Sequence, residues 1–481
     1  MQVIENFING EFITSNSGKY IDDFNPATGK QIAKISSSNH KDVNDAVGAA
    51  KSALPYWSSL TLDERIEWLD TIADALDARK EEIAKTESMD TGKPISVARN
   101  IDATRSVTNF RFFSEFTKQQ EMMQFEMKDA TNYVHRKPVG VVGLITPWNL
   151  PLYLLTWKIA PALVMGNTII AKPSELTPLT ANLFAQVLVD INFPKGVFNI
   201  VHGLGPDAGQ AILEHPDIGA ISFTGGTQTG RIVARTAAPL FKKLSLELGG
   251  KNATIILKDA DLKKAAKGAA RAGFTNSGQV CLCGSRILVD SSIAKEFTKL
   301  LLKEVEAMKV GDPTDESTEI GCLISMEHLE KVESYIELSK QEGGRILTGG
   351  KRVKDNGRQN VNGAFLEPTI IADLDINSRT ATEEIFGPVV TLHTFDNEQQ
   401  AIQMANNTEY GLAGSVWTTD LVRGKSFAKQ IDTGIVWINT WLHRDLRTPF
   451  GGVKNSGVGR EGGQWSLSFF SEMTNICVKH D

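Results

Sequence analysis

The sequence predicts an α/β protein with at least two domains, and three observations lead to this prediction. The chain has 481 residues, whereas a single hydrophobic core stops growing at roughly 250–300 residues. Short apolar runs rich in β-branched residues alternate with amphipathic segments in the middle of the chain, and a second series of the same kind begins near residue 250. Continuous apolar strands between helices indicate parallel sheets that are covered on both faces.

The order of elements follows from the periodicity of apolar residues. Residues 62–90 have apolar side chains at three- and four-residue spacing, which predicts helices, and this pattern continues to about residue 120. The runs VGVVGLI, NTIIAKP, GVFNIVHG, IGAISFTG and NATIILKD then predict the strands of the first sheet. The runs SRILVD, RILTGG, PVVTLHTF, GSVWTT and TGIVWIN predict the second sheet.

Two segments fit neither sheet. Residues 124–140 alternate as an exposed strand does, and the C-terminal TNICVKHD is similar. Because exposed strand edges usually pair with something, we expect an intersubunit sheet. The alternative is a solvated hairpin with a frayed tail.

Composition and charge exclude several classes of protein. The formal charge of −6 comes from 57 acidic and 51 basic residues along the whole chain, so no basic face for nucleic acid or for an anionic membrane is expected. The N-terminal residues do not have the pattern of a signal peptide. The uncharged run at 138–157 is interrupted by prolines and glycines, so we expect no membrane span. Four cysteines form no disulfide framework, and the cytoplasm is the expected compartment.

The segment FTNSGQVCLCGSR, residues 274–286, contains Cys281 and Cys283. A structural zinc site needs C-x₂₋₄-C pairs or paired histidines, and a redox pair needs C-x-x-C; neither pattern is present. Two interpretations remain from these residues alone. The cysteines are small buried apolar side chains, or Cys281 is a nucleophile on a loop, which would need an oxyanion site and an acid–base partner.

Polar side chains follow several predicted strands directly. Asn149 lies in TPWNLP, and Lys172, Ser174 and Glu175 lie in AKPSE. Glu247 ends an apolar run in LELGGK. Ligands of open α/β sheets bind at the carboxyl ends of strands, although an acid there is also commonly solvated or ion-paired.

Two glycine-rich turns are candidate phosphate sites. FTGGTQTG places Gly225 and Gly226 before a predicted helix, and HGLGPDAGQ contains Gly205 and Gly209. The amides at a helix N-terminus bind phosphate. Neither turn has the G-x-G-x-x-G pattern, so each is also consistent with an ordinary helix cap.

Taken together, these motifs resemble the aldehyde dehydrogenase superfamily, in the order PWN, KPSE, FTG turn, ELGGK and GQ-x-C. The resemblance covers nearly the whole chain, from INGEF and NPATG to EEIFGPV, YGLAGSVWT and PFGGVKNSGVGREGG. Gly226 is a departure, because the family usually has serine there. The resemblance implies a Rossmann-like NAD-binding domain (1–122 and 142–249), an α/β catalytic domain (250–450), and an oligomerisation hairpin with a bridging tail (123–141 and 451–481). A homodimer or homotetramer is implied.

The resemblance implies a reaction and its residues. Cys281 would attack the aldehyde to give a thiohemiacetal and then a thioester, Asn149 would supply an oxyanion donor, and Glu247 would activate the hydrolytic water. The implied cofactor is NAD, with Glu175 disfavouring a 2′-phosphate, and no metal is implied. The implied cofactor-binding residues are Ile145, Thr146, Pro147, Trp148, Lys172, Ser174, Glu175, Gly205, Gly209, Phe223, Thr224, Gly225, Gly226, Thr229, Leu248, Glu384 and Phe386.

Arginines suggest which aldehyde is oxidised. Arg444 and Arg447 lie in NTWLHRDLRTPFGG, and Arg105 and Arg111 lie in ATRSVTNFRFF, the two stretches that border the substrate entrance in this family. Arginines bind carboxylates in bidentate fashion. This pattern resembles the muconic semialdehyde branch, which oxidises 2-aminomuconate or 2-hydroxymuconate 6-semialdehyde.

Alternatives remain open for these arginines and for the substrate. Arg111 and Arg447 are equally well explained as surface ion pairs. The alternative substrates are broad aliphatic, retinal-type or betaine-type aldehydes. A non-catalytic relative, or one that transfers the acyl group to coenzyme A, is disfavoured because Cys281, Glu247 and Asn149 are all present.

Overall fold

The computed structural model describes residues 2–121, 123–353 and 363–480. The predicted domain limits at residues 1, 122 and 481 therefore lie outside the described residues. In the first half, the strands are β1 (Gln2–Ile4), β2 (Asn6–Ile8), β3 (Glu11–Ile13), β4 (Tyr20–Asn25), β5 (Lys30–Ser36), β6 (Gln124–Glu126), β7 (Ala130–Pro138), β8 (Val141–Ile145), β9 (Thr168–Lys172), β10 (Phe198–Ile200), β11 (Ile218–Thr224) and β12 (Lys243–Glu247). The later strands are β13 (Ala253–Ile256), β14 (Arg286–Asp290), β15 (Arg345–Thr348), β16 (Thr369–Ala372), β17 (Val389–Phe395), β18 (Tyr410–Gly411), β19 (Ala413–Trp417), β20 (Ile435–Ile438), β21 (Val453–Lys454), β22 (Gly457–Val458) and β23 (Ser471–Lys479).

The helices occupy the segments between these strands. The α-helices are α1 (His40–Ser59), α2 (Leu62–Ala78), α3 (Lys80–Thr91), α4 (Ile95–Val97), α5 (Thr104–Lys118), α6 (Pro151–Val164), α7 (Leu179–Asp190), α8 (Gln210–Glu214), α9 (Thr227–Ala237), α10 (Leu262–Phe274), α11 (Ala294–Glu306), α12 (Met326–Gln341), α13 (Arg379–Thr382), α14 (Glu398–Asn406), α15 (Leu421–Ala428) and α16 (Gly463–Phe469). Ala98–Ala103 and Gly205–Gly209 form π-helical turns, and Ala238–Leu240 and Thr275–Gly278 form 3₁₀ turns.

The periodic stretch at 62–90 contains two helices. Helix α2 begins at Leu62 because the Thr61 hydroxyl accepts from the Glu64 amide while the Glu64 carboxylate accepts from the Thr61 amide, a reciprocal capping box. The chain leaves helical geometry at Arg79, and α3 continues to a left-handed C-cap at Gly92. Both helices are consistent with the predicted helical region.

The first large sheet has the strand order β22-β12-β11-β8-β9-β10-β2-β3. Strands β12, β11, β8, β9 and β10 are parallel, whereas β22 and β2 pair antiparallel with its outer members. Helices α2, α5, α6 and α7 cover one face and α1, α8 and α9 cover the other. The predicted parallel α/β arrangement is confirmed.

The second large sheet has the order β15-β16-β17-β14-β13-β19-β20. All neighbours pair in parallel except the edge strand β15. Phe274 and Phe297 of α10 and α11 pack on one face, while Ile402 and Phe427 of α14 and α15 pack on the other. This sheet corresponds to the second predicted α/β series.

The two exposed segments pair with each other within the chain. Strand β7 pairs antiparallel with β23 along its length, from Ala130 opposite Lys479 to Pro138 opposite Ser471, and β6 pairs with the other side of β7. The expected exposed strand at the C-terminus is therefore an ordered edge strand. No strand of the described residues pairs with the outer edge of β23.

The C-terminal tail contributes to the first sheet as well. Strand β22 lies beside β12, with Gly457 opposite Glu247. Helix α16 packs against α6. Across residues 2–121, 123–353 and 363–480, no helix has the length and apolar character needed to cross a membrane.

Candidate active site

A pocket of about 260 Å³ lies at the carboxyl ends of β8, β11 and β12 and is closed by segments of the second sheet. Its lining contains eleven of the predicted site residues: Pro147, Trp148, Asn149, Thr224, Gly225, Gly226, Glu247, Leu248, Cys281, Glu384 and Phe386. Four further residues line it that the sequence did not single out: Leu154, Gly249, His328 and Lys331. The pocket thus brings the predicted nucleophile, amide and carboxylate together.

Cys281 lies on a loop that its neighbours hold firmly. The Asn252 side-chain amide donates to the carbonyls of Cys281 and Cys283, at 2.7 and 2.9 Å. The Trp441 indole N–H donates to the Leu282 carbonyl at 2.8 Å. The loop approaches through a tight turn at Gly278, whose φ of +71° and contact with the Gly387 carbonyl leave no room for a side chain. A rigid loop fixes the position of the thiol.

The two cysteines have different surroundings. Cys281 is half-buried and borders the pocket, whereas Cys283 is buried and its thiol lies 3.9 Å from the Thr275 carbonyl. Burial raises the pKa of the Cys281 thiol, and the neighbouring Glu247 carboxylate raises it further. Cys283 faces the apolar cluster around Trp437 and Trp441, as a packing residue does.

Asn149 lies between β8 and α6, and its side-chain amide is buried. Its Nδ2 donates to the Gln279 carbonyl at 2.9 Å, two residues before the nucleophile. Its own carbonyl accepts from the Lys93 ammonium at 2.9 Å and from the Asn276 amide at 3.2 Å. These contacts orient the side chain toward the Cys281 loop.

Glu247 is the last residue of β12 and is only 4% exposed. Neither carboxylate oxygen has a hydrogen-bond partner among the described residues. Burial raises the pKa of Glu247 well above its ordinary value, and the nearby Glu461 carboxylate raises it further. A buried carboxyl with free oxygens can take up a proton from water in the pocket.

A buried ion pair lies behind Glu247 and was not predicted. The Glu461 carboxylate accepts from the Lys158 ammonium at 2.6 Å and from the Trp157 indole at 2.8 Å. Lys158 also donates to the Ser222 hydroxyl at 2.9 Å. Glu461 belongs to the C-terminal tail, and nothing in its local sequence distinguishes it from an ordinary surface acid.

The glycine turn after β11 forms the opposite wall. Gly226 is the N-cap of α9 and has no side-chain cap, and a Cβ there would meet nothing within 4 Å. A Cβ on Gly225 would meet the Phe223 ring at 2.5 Å. Thr229 is exposed in the first turn of α9. Free amides at a helix N-terminus next to open space fit a phosphate group.

The end of β9 lies next to this wall. The Lys172 ammonium is buried and donates to the Glu175 carboxylate at 3.1 Å. A Cβ on Gly209 would lie 3.7 Å from the Lys172 side chain, so the second glycine turn packs against it. Ile145 pairs with Lys172 in the sheet, and the Thr146 amide donates to the Lys172 carbonyl.

Two more of the predicted residues occupy the rim of this region. Ser174 is buried, and its hydroxyl accepts from the Leu176 amide at 3.2 Å. Gly205 is exposed at the start of its π-helical turn, with nothing within 4 Å of its Cβ position. Neither residue lines the central pocket.

Three aromatic side chains, Trp148, His328 and Phe386, lie together on the side of the pocket that faces the second large sheet. The rings of Trp148 and Phe386 lie 5.3 Å apart, and those of Trp148 and His328 lie 5.4 Å apart. His328 Nε2 lies 2.7 Å from the Phe386 carbonyl, which only accepts, so this nitrogen donates. Burial lowers the pKa of His328 to about 4, so the ring is neutral. Glu384 accepts from the Gly250 amide at 3.0 Å.

Arg444 and Arg105 converge on one tyrosine. The Arg444 guanidinium carbon lies over the rings of Phe450 (3.9 Å to the ring centroid) and Trp157 (4.6 Å), and Nη1 donates to the Tyr153 hydroxyl at 2.8 Å. The Arg105 guanidinium lies 5.1 Å from the Tyr153 ring centroid. Each arginine has a buried Nη2 without an acceptor among the described residues.

Arg111 and Arg447 have different surroundings. Arg111 is exposed on α5 and pairs with Asp74 at 2.9 Å. Arg447 is 70% exposed and pairs with Asp445 at 2.5 Å. A neighbouring carboxylate on the same turn thus engages the Arg447 guanidinium, as the surface ion-pair interpretation expects, and contact between Arg447 and substrate stays a prediction.

A loop thiol, a buried amide and a buried carboxyl that line one pocket are the groups that an enzyme acting on a carbonyl group through a thiol requires. The profile of the Aldehyde dehydrogenase family matches residues 12–476. The chain belongs to this family, which confirms the predicted resemblance and the prediction of an aldehyde-oxidising enzyme.

Individual relatives extend this assignment. A 2-aminomuconic semialdehyde dehydrogenase of Danio rerio is 47% identical over 99% of this chain and 98% of its own length. A 2-hydroxymuconic semialdehyde dehydrogenase of Pseudomonas sp. (strain CF600) is 46% identical over 100% of both chains. The solved NAD⁺ complex of an aldehyde dehydrogenase from Bacillus cereus has a TM-score of 0.96 and 39% identity, covering 100% of this chain and 97% of that one. The predicted fold and semialdehyde branch are confirmed.

Proposed function

We propose that this enzyme uses NAD to oxidise a carboxylated semialdehyde, 2-aminomuconate or 2-hydroxymuconate 6-semialdehyde, to the dicarboxylate. The observation that carries the substrate class is the pair Arg105 and Arg444, each with a buried guanidinium nitrogen that finds no acceptor in the part of the chain that the structure describes. A buried cationic donor without a partner is costly, and a substrate carboxylate supplies the missing acceptor. The names of the similar enzymes support the same class.

The reaction begins with the thiol of Cys281. Its thiolate adds to the aldehyde carbon and forms a carbon–sulfur bond, and the carbonyl oxygen becomes an oxyanion. The Asn149 amide and the Cys281 backbone N–H donate to this oxygen. Asn149 is suited to the role because its contacts with Gln279 and Lys93 fix its orientation before substrate binds.

The thioester is then hydrolysed with help from Glu247. The carboxylate takes a proton from water as the water oxygen attacks the thioester carbon; the carbon–sulfur bond breaks, and the acid and the free thiol result. Glu247 fits this role because its oxygens are free of competing donors in the described structure. Its raised pKa brings it closer to the pH at which an efficient general base works.

The chain also fits NAD. We propose that the turn at Thr224–Gly226 holds the phosphates, Lys172 and Glu175 the adenosine ribose, and Glu384 and Phe386 the nicotinamide ribose and ring. When bound there, NAD would supply the acceptor for the hydride that leaves the thiohemiacetal carbon as the C–H bond breaks and the thioester forms. The Glu175 carboxylate favours a free 2′-hydroxyl, and its contact with Lys172 moderates the repulsion of a 2′-phosphate.

The remaining predicted cofactor residues take supporting positions in this proposal. They surround the turn and the strand ends described above: Ile145, Thr146, Pro147, Trp148, Ser174, Gly205, Gly209, Phe223, Thr229 and Leu248. Residues 1–122 and 142–249 then form the NAD-binding domain, and residues 250–450 form the catalytic domain.

The hairpin at 123–141 and the tail at 451–481 form the oligomerisation surface in this proposal. Met473, Ile476 and Val478 are exposed on β23, whose outer edge pairs with no strand of the described residues. Phe125 and Met127 are exposed at the opposite edge of the same sheet, on β6 and directly after it. An apolar strand edge of this kind favours pairing with a second copy in a homodimer or homotetramer. We place the enzyme in the cytoplasm, where the free Cys281 thiol stays reduced.

The deciding experiment measures several aldehydes as substrates of both the wild type and an arginine variant. NADH formation gives kcat/KM for 2-hydroxymuconate semialdehyde, hexanal, retinal and betaine aldehyde. We expect kcat/KM for the carboxylated substrate to be about 100-fold higher than for the other three aldehydes. Arg444→Ala should weaken transition-state binding of the carboxylated substrate by about 2–5 kcal/mol, the cost of breaking a desolvated charge pair. The loss for hexanal should be much smaller, because hexanal loses only the effect of the Arg444 charge on Glu247 and Cys281.

Arg447→Ala is the matched control for this experiment. It lies three residues away, but its ion pair with Asp445 is exposed and screened by solvent, so its removal should change kcat/KM little. Preference for hexanal or retinal in the wild type would contradict the proposed substrate. Equal losses for charged and uncharged aldehydes in Arg444→Ala would make that arginine structural.

A further inference from the structure

Tyr153 contacts both arginines of the proposed carboxylate site, and no motif in the sequence marks it. Its side chain lies in the first turn of α6 and is 8% exposed. The hydroxyl accepts from Arg444 Nη1 at 2.8 Å, and the ring faces the Arg105 guanidinium at 5.1 Å. One side chain therefore joins two cations that come from α5 and from the loop after β20.

The hydroxyl determines the orientation of Arg444. The cation–π contacts with Phe450 and Trp157 attract the guanidinium, but they do not decide toward which group each of its N–H donors points. The hydrogen bond from Nη1 to the Tyr153 oxygen removes this freedom, because the five donors of a guanidinium have fixed directions. It leaves Nη2 as the buried nitrogen without an acceptor in the described residues.

The ring of Tyr153 is itself held relative to Arg105. The Asn109 amide, one turn along α5 from Arg105, donates to the Tyr153 carbonyl and to the Thr156 hydroxyl, both at 3.0 Å. This buried contact fixes the register of α5 against α6. The distance between the Arg105 guanidinium and the Tyr153 ring is therefore set by backbone-anchored groups.

The pair of arginines lies close to the reacting groups. Phe450, which stacks on Arg444, belongs to the apolar cluster against which Cys281 packs. The next residue, Gly451, has its Cβ position 2.6 Å from the Glu247 carboxylate. Leu154, adjacent to Tyr153 in the chain, lines the pocket itself.

We propose that Tyr153 is a positioning residue that determines specificity for carboxylated aldehydes, because it aligns the free guanidinium nitrogens of Arg105 and Arg444 for the substrate carboxylate. This inference rests on the proposed function. Tyr153 does not touch the reacting carbon in this role, so it should influence binding of the charged end of the substrate and not the chemical step.

The test uses Tyr153→Phe, which removes the hydroxyl and keeps the ring beneath Arg105. For 2-hydroxymuconate semialdehyde we expect KM to rise about 10- to 100-fold with kcat nearly unchanged, the scale of one hydrogen bond to a charged group. For hexanal we expect no change. Tyr56→Phe, on an exposed tyrosine of α1, is the matched control for loss of a hydroxyl.

A second variant and a binding measurement separate positioning from structural effects. Tyr153→Leu removes the ring as well and should raise KM for the charged substrate further, through Arg105. Inhibition by hexa-2,4-dienedioate, a dicarboxylate without an aldehyde, should weaken in parallel in both variants. The thermal unfolding midpoint of Tyr153→Phe should match that of the wild type.

The outcomes distinguish the two proposals. If the wild type prefers the carboxylated aldehyde and Tyr153→Phe shows no loss, or equal losses for both aldehydes, the role of Tyr153 is overturned and the proposed function stands. If the wild type itself has no preference for the carboxylated aldehyde, the proposed function fails, and the specificity role of Tyr153 fails with it.

Discussion

The Asn149 side-chain amide donates to the Gln279 carbonyl at 2.9 Å, across 130 positions of sequence. One residue follows a strand of the first sheet, and the other lies on the loop that leads to Cys281 in the second. The hydrogen bond ties the predicted oxyanion donor to the predicted nucleophile, so the two groups keep their relative position without substrate.

This contact predicts the effect of changing Asn149. Asn149→Ala should reduce kcat about 10²- to 10³-fold, the usual result of removing one oxyanion donor, while KM changes little. Asn149→Asp keeps the shape but replaces the donor by an acceptor, so it should be at least as slow. Steady-state NADH formation measures both, and a kcat for Asn149→Ala close to that of the wild type would remove the oxyanion role.

The two neighbouring cysteines should behave differently. Cys281→Ala should abolish acid formation, because no other thiol borders the pocket among the described residues. Cys283→Ala should retain activity within about twofold, since a buried cysteine outside the reaction acts as a small apolar side chain. Purified variants assayed by NADH absorbance, with mass spectrometry of the acyl-enzyme, decide this; turnover by Cys281→Ala is incompatible with the mechanism.

The pH dependence follows from the raised pKa of Glu247. Burial raises the pKa of this carboxyl, so the proton-accepting form becomes populated only as pH rises. Burial raises the pKa of Cys281 in the same direction. We therefore expect kcat to increase as pH rises and to reach its plateau at a higher pH than an exposed carboxyl would give.

Glu247→Gln tests which group causes this dependence. Acid formation should fall about 10²- to 10⁴-fold with loss of the base, while a rapid first turnover of NADH remains because Cys281 is intact. A variant without such a burst would place Glu247 before hydrolysis, not in it.

Substitution of Gly226 should increase both the stability of α9 and the affinity for NAD. Its φ of −69° and ψ of 147° suit any residue, and its Cβ position is open. Gly226→Ser should stabilise the N-cap of α9 by a few tenths of a kcal/mol and tighten NAD binding about 2- to 10-fold through one added hydrogen bond.

Gly225→Ser is the matched control for that substitution. Its Cβ would meet the Phe223 ring at 2.5 Å, so it should weaken NAD binding and lower the unfolding temperature. Calorimetric titration with NAD and thermal unfolding measure both variants. Equal changes in NAD affinity and unfolding temperature for Gly226→Ser and Gly225→Ser would show that the open space at Gly226 does not determine the effect.

The sequence alone predicted the strand ends and the nucleophile loop. Lys172, Thr224 and Glu247 each end an apolar run, and a strand's last residue is readable from the pattern because burial and polarity change there abruptly. The motif around Cys281 is also local. These features depend on residues that are adjacent in the chain.

Tertiary structure decided the rest. Arg444 and Arg447 are three residues apart, and the sequence left open whether Arg447 forms a surface ion pair; in the structure Arg444 lies over the rings of Trp157 and Phe450, while Arg447 pairs with Asp445 in solvent. His328 and Tyr153 lie in ordinary helical patterns. Their roles depend on side chains from distant segments, and the pairing of β7 with β23 likewise joins residues more than 300 positions apart. Contacts of this kind arise only when the whole chain packs, because local patterns encode which face is buried but not which partner covers it.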